Sequence, residues 1–190
     1  CRRPVAGIQG IKRLAVLSLL EAFMKEVKIP EERVGVLIGE GGETKEEFED
    51  LTDCELVVED NVARIEGDAL AEMNAQKVVK AIGRGFAPDK AFKLMERDVA
   101  LYIIDISEFA STSNSRDRLK GRVIGRDGEA RRHIEKSCEI DIAIYGKTIG
   151  MVGKAENIEV AQEAVTMLLN GSSHSTAYNY LEKNQGKIVK

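Results

Sequence analysis

The sequence contains no tryptophan, and aromatic residues fill only 5% of its 190 positions. Nucleic-acid binding built on broad aromatic stacking platforms is therefore a poor fit. Three prolines beside 17 glycines exclude a collagen-like or Pro/Gly-rich disordered chain. The three cysteines (Cys1, Cys54, Cys138) and the two histidines (His133, His174) lie far apart, with no CxxC and no zinc-type cluster. That scatter suits a reducing cytoplasm, and neither a metal nor a cofactor is expected. Phosphate-loop signatures are missing: no G-x-x-x-x-G-K-[ST] occurs, and Gly39–Thr44 lacks the third glycine of a dinucleotide fingerprint. No Ser/His/Asp or Cys/His constellation can be assembled, so no catalytic residue is nominated and the chain does not read as an enzyme.

A long hydrophobic run is absent too. Leu14–Leu20 follows Arg2, Arg3, Lys12 and Arg13, but it is too short to span a bilayer and lacks a small-x-small cleavage site before Glu21. Residues 1–23 read as an N-terminal extension, with the first domain opening at Met24 and no membrane association. Asn170-Gly171-Ser172 matches a glycosylation sequon and, without a secretory context, is read as chance. Nor is there an excess of positive charge: 28 Lys and Arg face 32 Asp and Glu, a net of −4. This excludes a uniformly basic nucleic-acid coat but leaves a local patch open.

What is present is an internal repeat. Gly35-Val-Leu-Ile-Gly39-Glu-Gly-Gly42-Glu43 returns as Gly121-Arg-Val-Ile-Gly125-Arg-Asp-Gly128-Glu129 at an offset of 86. The same ungapped register pairs Glu49 with Glu135, Gly67 with Gly153, Ala75-Gln76 with Ala161-Gln162, Gly85 with Gly171 and Glu96 with Glu182. Two copies of one domain follow, 24–98 and 99–190.

β-branched density predicts opening strands over Ala22–Ile29 and Val99–Ile106. Short helices over Glu31–Leu37 and Asp117–Ile124 stop at a glycine, and second helices resume at Glu43–Leu51 and Glu129–Ser137. Strands follow at Glu55–Val58 and Asp141–Ile144, then at Ala63–Ile65 and Ile149–Val152 across turns at Asp60-Asn61 and Gly146-Lys147. Longer helices over Ala69–Ile82 and Glu156–Leu169 come next, then an extra short helix in each copy, Asp89–Glu96 and Ser175–Lys183. Ala110–Ser115 reads as a flexible polar loop. This order, β-α-α-β-β-α, resembles a type I KH module: an α+β fold with a three-stranded antiparallel sheet packed on helices, here in tandem.

Ile38-Gly39-Glu40-Gly41-Gly42 and Ile124-Gly125-Arg126-Asp127-Gly128 match the Ile-Gly-x-x-Gly signature of that module. Missing Cβ atoms let a nucleic-acid backbone come close, and the following helix turns its free N–H groups and positive dipole end toward phosphates. In such modules the loop clamps four backbone nucleotides.

Charge separates the copies. Lys25–Asp98 carries 11 basic and 19 acidic residues, a net of −8, whereas Asn114–Lys190 carries 13 and 10, a net of +3. Because phosphate neutralisation supplies most sequence-independent affinity, the second copy is the expected clamp. Its candidate RNA-binding residues are Lys120, Gly121, Arg122, Ile124, Gly125, Arg126, Asp127, Gly128, Arg131, Arg132 and Ile142. Ile142 and Ile144 fit equally as groove floor or as core. The alternative for Arg126, Arg131 and Arg132 is helix-surface pairing with Asp127, Glu129 and Glu135. Glu40 repels a phosphate, so Gly39, Glu40, Gly41 and Gly42 form at most a weak or vestigial site, and the acidic copy could dock a basic protein. His133 reads as solvated or as a base-stacking ring.

Over Met24–Glu182, and most specifically in Arg118–Arg132 and Leu169–Glu182, the chain resembles the archaeal KH-domain ribosome-biogenesis proteins and their eukaryotic relatives, the partner-of-Nob small-subunit processing factors. The resemblance implies a non-enzymatic RNA-binding protein acting near the 3′ end of small-subunit (16S) ribosomal RNA in the cytoplasm. It further implies initiation factor two alpha, the Nob endonuclease and the rRNA dimethyltransferase as partners. Single-stranded DNA binding and a purely protein–protein scaffold are the alternatives that the residues leave open.

Overall fold

The computed structural model describes residues 25–189; the N-terminal extension and the expected strand start at Ala22–Met24 lie outside them. The first unit runs β1 (Lys25–Lys28), α1 (Glu31–Ile38), α2 (Glu43–Thr52), β2 (Glu55–Glu59), β3 (Val62–Glu66) and α3 (Ala69–Gly83). A short α4 (Pro88–Phe92) continues as a 3-10 turn, Lys93–Met95. The second unit repeats the order: β4 (Val99–Asp105), α5 (Ser113–Ile124), α6 (Glu129–Cys138), β5 (Asp141–Tyr145), β6 (Thr148–Lys154) and α7 (Ala155–Leu169), closed by α8 (His174–Asn184). This is α+β with two type I KH topologies.

Each sheet is antiparallel, and the strand that comes last in the chain lies in the middle, in the orders β1-β3-β2 and β4-β6-β5. Period-two alternation puts Leu56 opposite Ile65 and Val58 opposite Ala63 on the helix-facing side, and Ile142 opposite Met151 and Ile144 opposite Ile149 in the second sheet. Phe48, Leu56, Ile65 and Ile82 are buried in the first core; Ile134, Ile149, Met151 and Leu168 fill the second. The expected polar loop at Ala110–Ser115 needs correction. Its last three residues begin α5, because Thr112 caps the helix by accepting the Ser115 amide at 3.2 Å.

Crowding accounts for one pair of glycines that the repeat matches. Gly67 and Gly153 each pass so close to the start of the edge strand that an added Cβ would lie 2.7 Å from Cys54 Sγ or 2.5 Å from Ile140 Cγ2. Glu49 and Glu135 match for a related reason: their carboxylates accept the Leu56 and Ile142 amides at 2.8 and 2.9 Å, satisfying edge-strand donors.

The outer faces of the two sheets differ. The first is solvated, with Arg64 paired to Glu26 at 3.0 Å and to Glu59 at 2.7 Å. The second is covered by the tail of the first unit, so Phe86, Phe92 and Leu94 share a core with Ala143 and Val152. The Phe86 ring sits where a Cβ on Gly150 would fall, 2.6 Å from Cε2. Lys93 and Lys90 reach Asp141 across the junction at 2.5 and 3.2 Å. The two extra helices therefore do different work: α4 joins the units, while α8 stays with its own unit through Ala177 and Leu181.

Candidate nucleic-acid interface

Both helix–loop–helix turns trace the same path. Gly39, Gly41 and Gly42 have φ of 79°, 66° and 95°; Gly125, Asp127 and Gly128 have 74°, 51° and 76°. Asp127 holds a left-handed position that short polar residues tolerate better than most. The first glycine of each loop is required by the protein itself. A Cβ on Gly39 would lie 2.4 Å from Thr44 Oγ1, and one on Gly125 would lie 2.6 Å from Ala130 Cβ. The bare Cα at Gly125 thus serves close approach of the next helix, a role the sequence reading did not give it. Gly121, on the exposed face of α5, has open space around it. A mid-helix glycine there costs about 1 kcal/mol of helix stability with no packing to account for it. Gly35 holds the equivalent open position in α1.

Gly128 precedes α6 without a side-chain cap, and although the Glu129 amide bonds back to Arg126 O, the positive end of the helix dipole lies at the loop. Ile124, 37% exposed, stands at the loop entry. Ile142 is 4% exposed and belongs to the core, so it is removed from the groove floor. Ile144 is half-buried and packs against the same core.

The basic residues divide into three groups. Arg118, Arg126, Arg132 and Lys136 are exposed, and no side-chain ion pair or hydrogen bond engages them among the described residues. Lys120 and Arg131 are paired, Lys120 with Asp117 at 2.7 Å and Arg131 with Glu135 at 3.6 Å. The Lys120 hydrogen bond holds the Asp117 carboxyl below its usual range.

Arg122 turns inward. Its Nε donates to Leu168 O at 3.0 Å and its Nη2 to Ser172 O at 2.5 Å, so it ties α5 to the end of α7 instead of facing RNA. Arg33 makes the same tie in the first unit, donating to Ile82 O at 2.9 Å and Phe86 O at 2.5 Å. The acceptors are equivalent under the repeat, whereas the arginines are not: Arg33 aligns with Leu119, one helical turn before Arg122. Sequence reasoning missed this tie because the register hides it.

His133 is also turned in, stacked on Tyr178 with ring centroids 4.1 Å apart and Nε2 buried. The ring is tilted 43° against Tyr178 and the residue is half-buried, so it is not the freely solvated or base-stacking ring expected. The buried thiols of Cys54 and Cys138 are free, and burial pushes Cys138 up to about 12.

The first loop presents the opposite field. Its nearby cations are both engaged, Arg33 on the two carbonyls and Lys45 with Glu49 at 3.7 Å. Glu31, Glu40, Glu43, Glu46 and Glu47 remain exposed around it. Among the described residues no group of three His, Cys, Asp or Glu could hold a metal, and no helix is long and apolar enough to cross a membrane.

Two βααββα units with paired glycine loops define a tandem type I KH protein. Residues 100–186 match the model described as the eukaryotic type KH-domain (KH-domain type I), and residues 24–81 match that of the KH domain. A KH domain-containing protein of Methanocaldococcus jannaschii is 44% identical over 168 residues, 85% of this chain and 74% of that protein. The pre-rRNA-processing protein Pno1 of Emericella nidulans is 32% identical over 130 residues, 66% of this chain but only 50% of the fungal protein. The solved a/eIF2alpha-aDim2p-rRNA complex of Pyrococcus horikoshii contains a chain 36% identical to this one, with a TM-score of 0.80, covering 89% of this chain and 98% of that one. The chain belongs to the family of KH-domain proteins that includes Dim2p and Pno1.

Proposed function

We propose that the protein is a non-enzymatic, single-stranded RNA-binding factor of small-subunit ribosome maturation that clamps the 3′ region of the small-subunit rRNA. In this reading residues 99–190 form the RNA-binding domain and residues 24–98 an acidic partner domain whose own loop is vestigial. One observation carries it: among the described residues Arg126 and Arg132 stand exposed and unpartnered at the second loop, with Arg118 and Lys136 likewise unpartnered on its two helices, whereas the cations beside the first loop, Arg33 and Lys45, are both engaged. Arg126 and Arg132 flank the N-terminus of α6, where their charge adds to the dipole at the site a phosphate would occupy. Gly121 lets a sugar-phosphate strand approach the α5 backbone, and Ile124 offers an apolar edge for an unstacked base.

The Pyrococcus chain in complex with rRNA and a/eIF2alpha supports rRNA as the ligand and initiation factor two alpha as a partner. The Nob endonuclease and the rRNA dimethyltransferase are partners by family resemblance alone, and a cytoplasmic location goes with the same reading.

Fluorescence anisotropy with a short single-stranded RNA at two salt concentrations tests the clamp. Arg126→Asp removes one cation and adds an acid beside Asp127; it is expected to weaken binding by roughly tenfold to a hundredfold and to flatten the salt response. Gly41→Asp places a second acid in the first loop at the counterpart of Asp127, where nothing lies within 4 Å and Asp127 shows the conformation to be accessible. Its expected effect is under about twofold, since that loop carries no phosphate. Equal losses from the two loops would sink the asymmetric assignment, and a flat salt response in the wild type would sink the phosphate clamp.

A further inference from the structure

The first unit seats a side chain of the second in a small socket. Tyr145, at the tip of β5, lies against Gly85, just after α3: a Cβ added to Gly85 would meet Tyr145 Cβ at 2.7 Å and Cγ at 3.2 Å. The Tyr145 hydroxyl donates to the Glu32 carboxylate of α1. The Arg33 guanidinium, fixed on Ile82 O and Phe86 O, lies 6.0 Å from the ring centroid, within cation–π reach. Glycine, carboxylate and arginine together make a receptor for an aromatic-tipped turn.

The repeat builds the same socket in the second unit, where it is open. Gly171 corresponds to Gly85, and a Cβ added there meets nothing within 4 Å. Arg122 carries its guanidinium on Leu168 O and Ser172 O, the carbonyls equivalent to those that hold Arg33. Gly171 and Arg122 both line a cavity of about 620 Å³ between α5 and the end of α7. Leu119 and Leu169 give it apolar walls, and Phe109, from the longer β4–α5 connection, adds another. One position is inverted: Arg118 stands where the first unit has Glu32, exposed and without a side-chain ion pair or hydrogen bond among the described residues. Arg118 lines this cavity at about 10 Å of helix rise before Gly125.

We propose that the second socket docks a turn of another protein, one that presents an aromatic ring with an acidic group beside it. The ring lies against Gly171 next to the Arg122 guanidinium, as Tyr145 lies against Gly85 next to Arg33. The acid pairs with Arg118, whose charge is the reverse of that of Glu32. A second copy of this chain does not supply such a turn. The counterpart of Tyr145 in the first unit is Glu59, which is not aromatic and which Arg64 already holds at 2.7 Å. Nor can the Phe86–Gly150 contact that accompanies the Tyr145 seat recur between copies, because Arg64 stands where the second sheet has Gly150. Charge complementarity and the ring site therefore favour a different protein as the occupant.

The test titrates the isotope-labelled full chain with a backbone-cyclised peptide of residues 143–150 carrying Lys147→Glu, which sets a carboxylate on the turn beside the Tyr145 ring. Amide resonances of Leu119, Asn170 and Gly171 should shift saturably, with a Kd of about 1 mM or tighter for a contact of this size. Tyr145→Ala in the peptide should remove those shifts. Arg118→Glu in the protein should melt with the wild type and weaken binding of the Lys147→Glu peptide roughly threefold or more. The same variant should bind the unmodified Lys147 peptide better than the wild type does, a reversal that misfolding cannot produce. No saturable shift by about 5 mM peptide, or equal shifts from the Tyr145→Ala peptide, would overturn the proposal. So would a short single-stranded RNA shifting these resonances where the peptide does not, since that assigns the cavity to a nucleotide base. Concentration-dependent self-association that Arg118→Glu abolishes would overturn it too, by assigning the cavity to a second copy. Arg126→Asp should bind the peptide as the wild type does, so failure of the RNA clamp and failure of this socket are read separately.

Discussion

Arg122→Ala separates the two kinds of arginine around the second loop. The guanidinium spans Leu168 O at 3.0 Å and Ser172 O at 2.5 Å, fastening α5 to the chain leaving α7. Hydrogen bonds to a charged group contribute about 1.5–3 kcal/mol each. A cation at a helix C-terminus adds about 0.3–1 kcal/mol. Leu168 O also accepts the Gly171 amide at 3.1 Å, so that carbonyl keeps a partner when the arginine goes, and the sum is reduced accordingly. A destabilisation of about 2–4 kcal/mol follows. At about 2–4 °C per kcal/mol for a fold of this size, the melting temperature should drop by roughly 5–15 °C. Arg33→Ala, which cuts the equivalent tie, should behave alike. Arg126→Ala removes an exposed side chain with no hydrogen bond or ion pair among the described residues, so it should leave melting within about 2 °C and lower RNA affinity instead. Far-UV circular dichroism melts beside anisotropy titrations read both quantities. The reasoning fails if Arg122→Ala melts with the wild type, or if it loses RNA affinity as Arg126→Ala does while remaining as stable.

Two further outcomes follow from single positions. Gly121→Ala fills open space on a helix face, so it should stabilise the protein by about 1 kcal/mol and yet weaken RNA binding severalfold, because the new methyl stands where the strand approaches; a stabilised variant with undiminished affinity would remove that face from the interface. Burial raises Cys138 from 9.0 to about 12, so its contribution to stability is complete below pH 9 and is lost as pH rises toward 12. Between pH 9 and 11 the wild type should therefore lose roughly 2 kcal/mol more than Cys138→Ala does, each referenced to its own value at pH 7; parallel pH curves in thermal melts would contradict the burial argument.

Much of this molecule is legible in one dimension. The 86-residue offset places the shared strands and helices, with crowded glycines such as Gly67 and Gly153 at matching points, but not the early start of α5 at Ser113. The charge contrast between Glu40 and Arg126 is likewise visible without coordinates. Arg122 and Ile142 were not separable from the interface by sequence. A cation one turn from the loop can point either way, and an alternating strand does not declare which face is the core. The shared core of Phe86, Phe92, Leu94, Ala143 and Val152 was equally hidden, since it pairs residues that the repeat keeps apart.

By itself the sequence determined the two modules, their glycine loops and the sign of the field around each, all properties of local order and composition. Tertiary structure alone decided which cations are free. Arg33 and Arg122 are spent on carbonyls brought near by α3 and α7, whereas Arg126 and Arg132 are left exposed. A charge is available to a ligand only if folding has not already given it a partner, and folding assigns partners by distance in space.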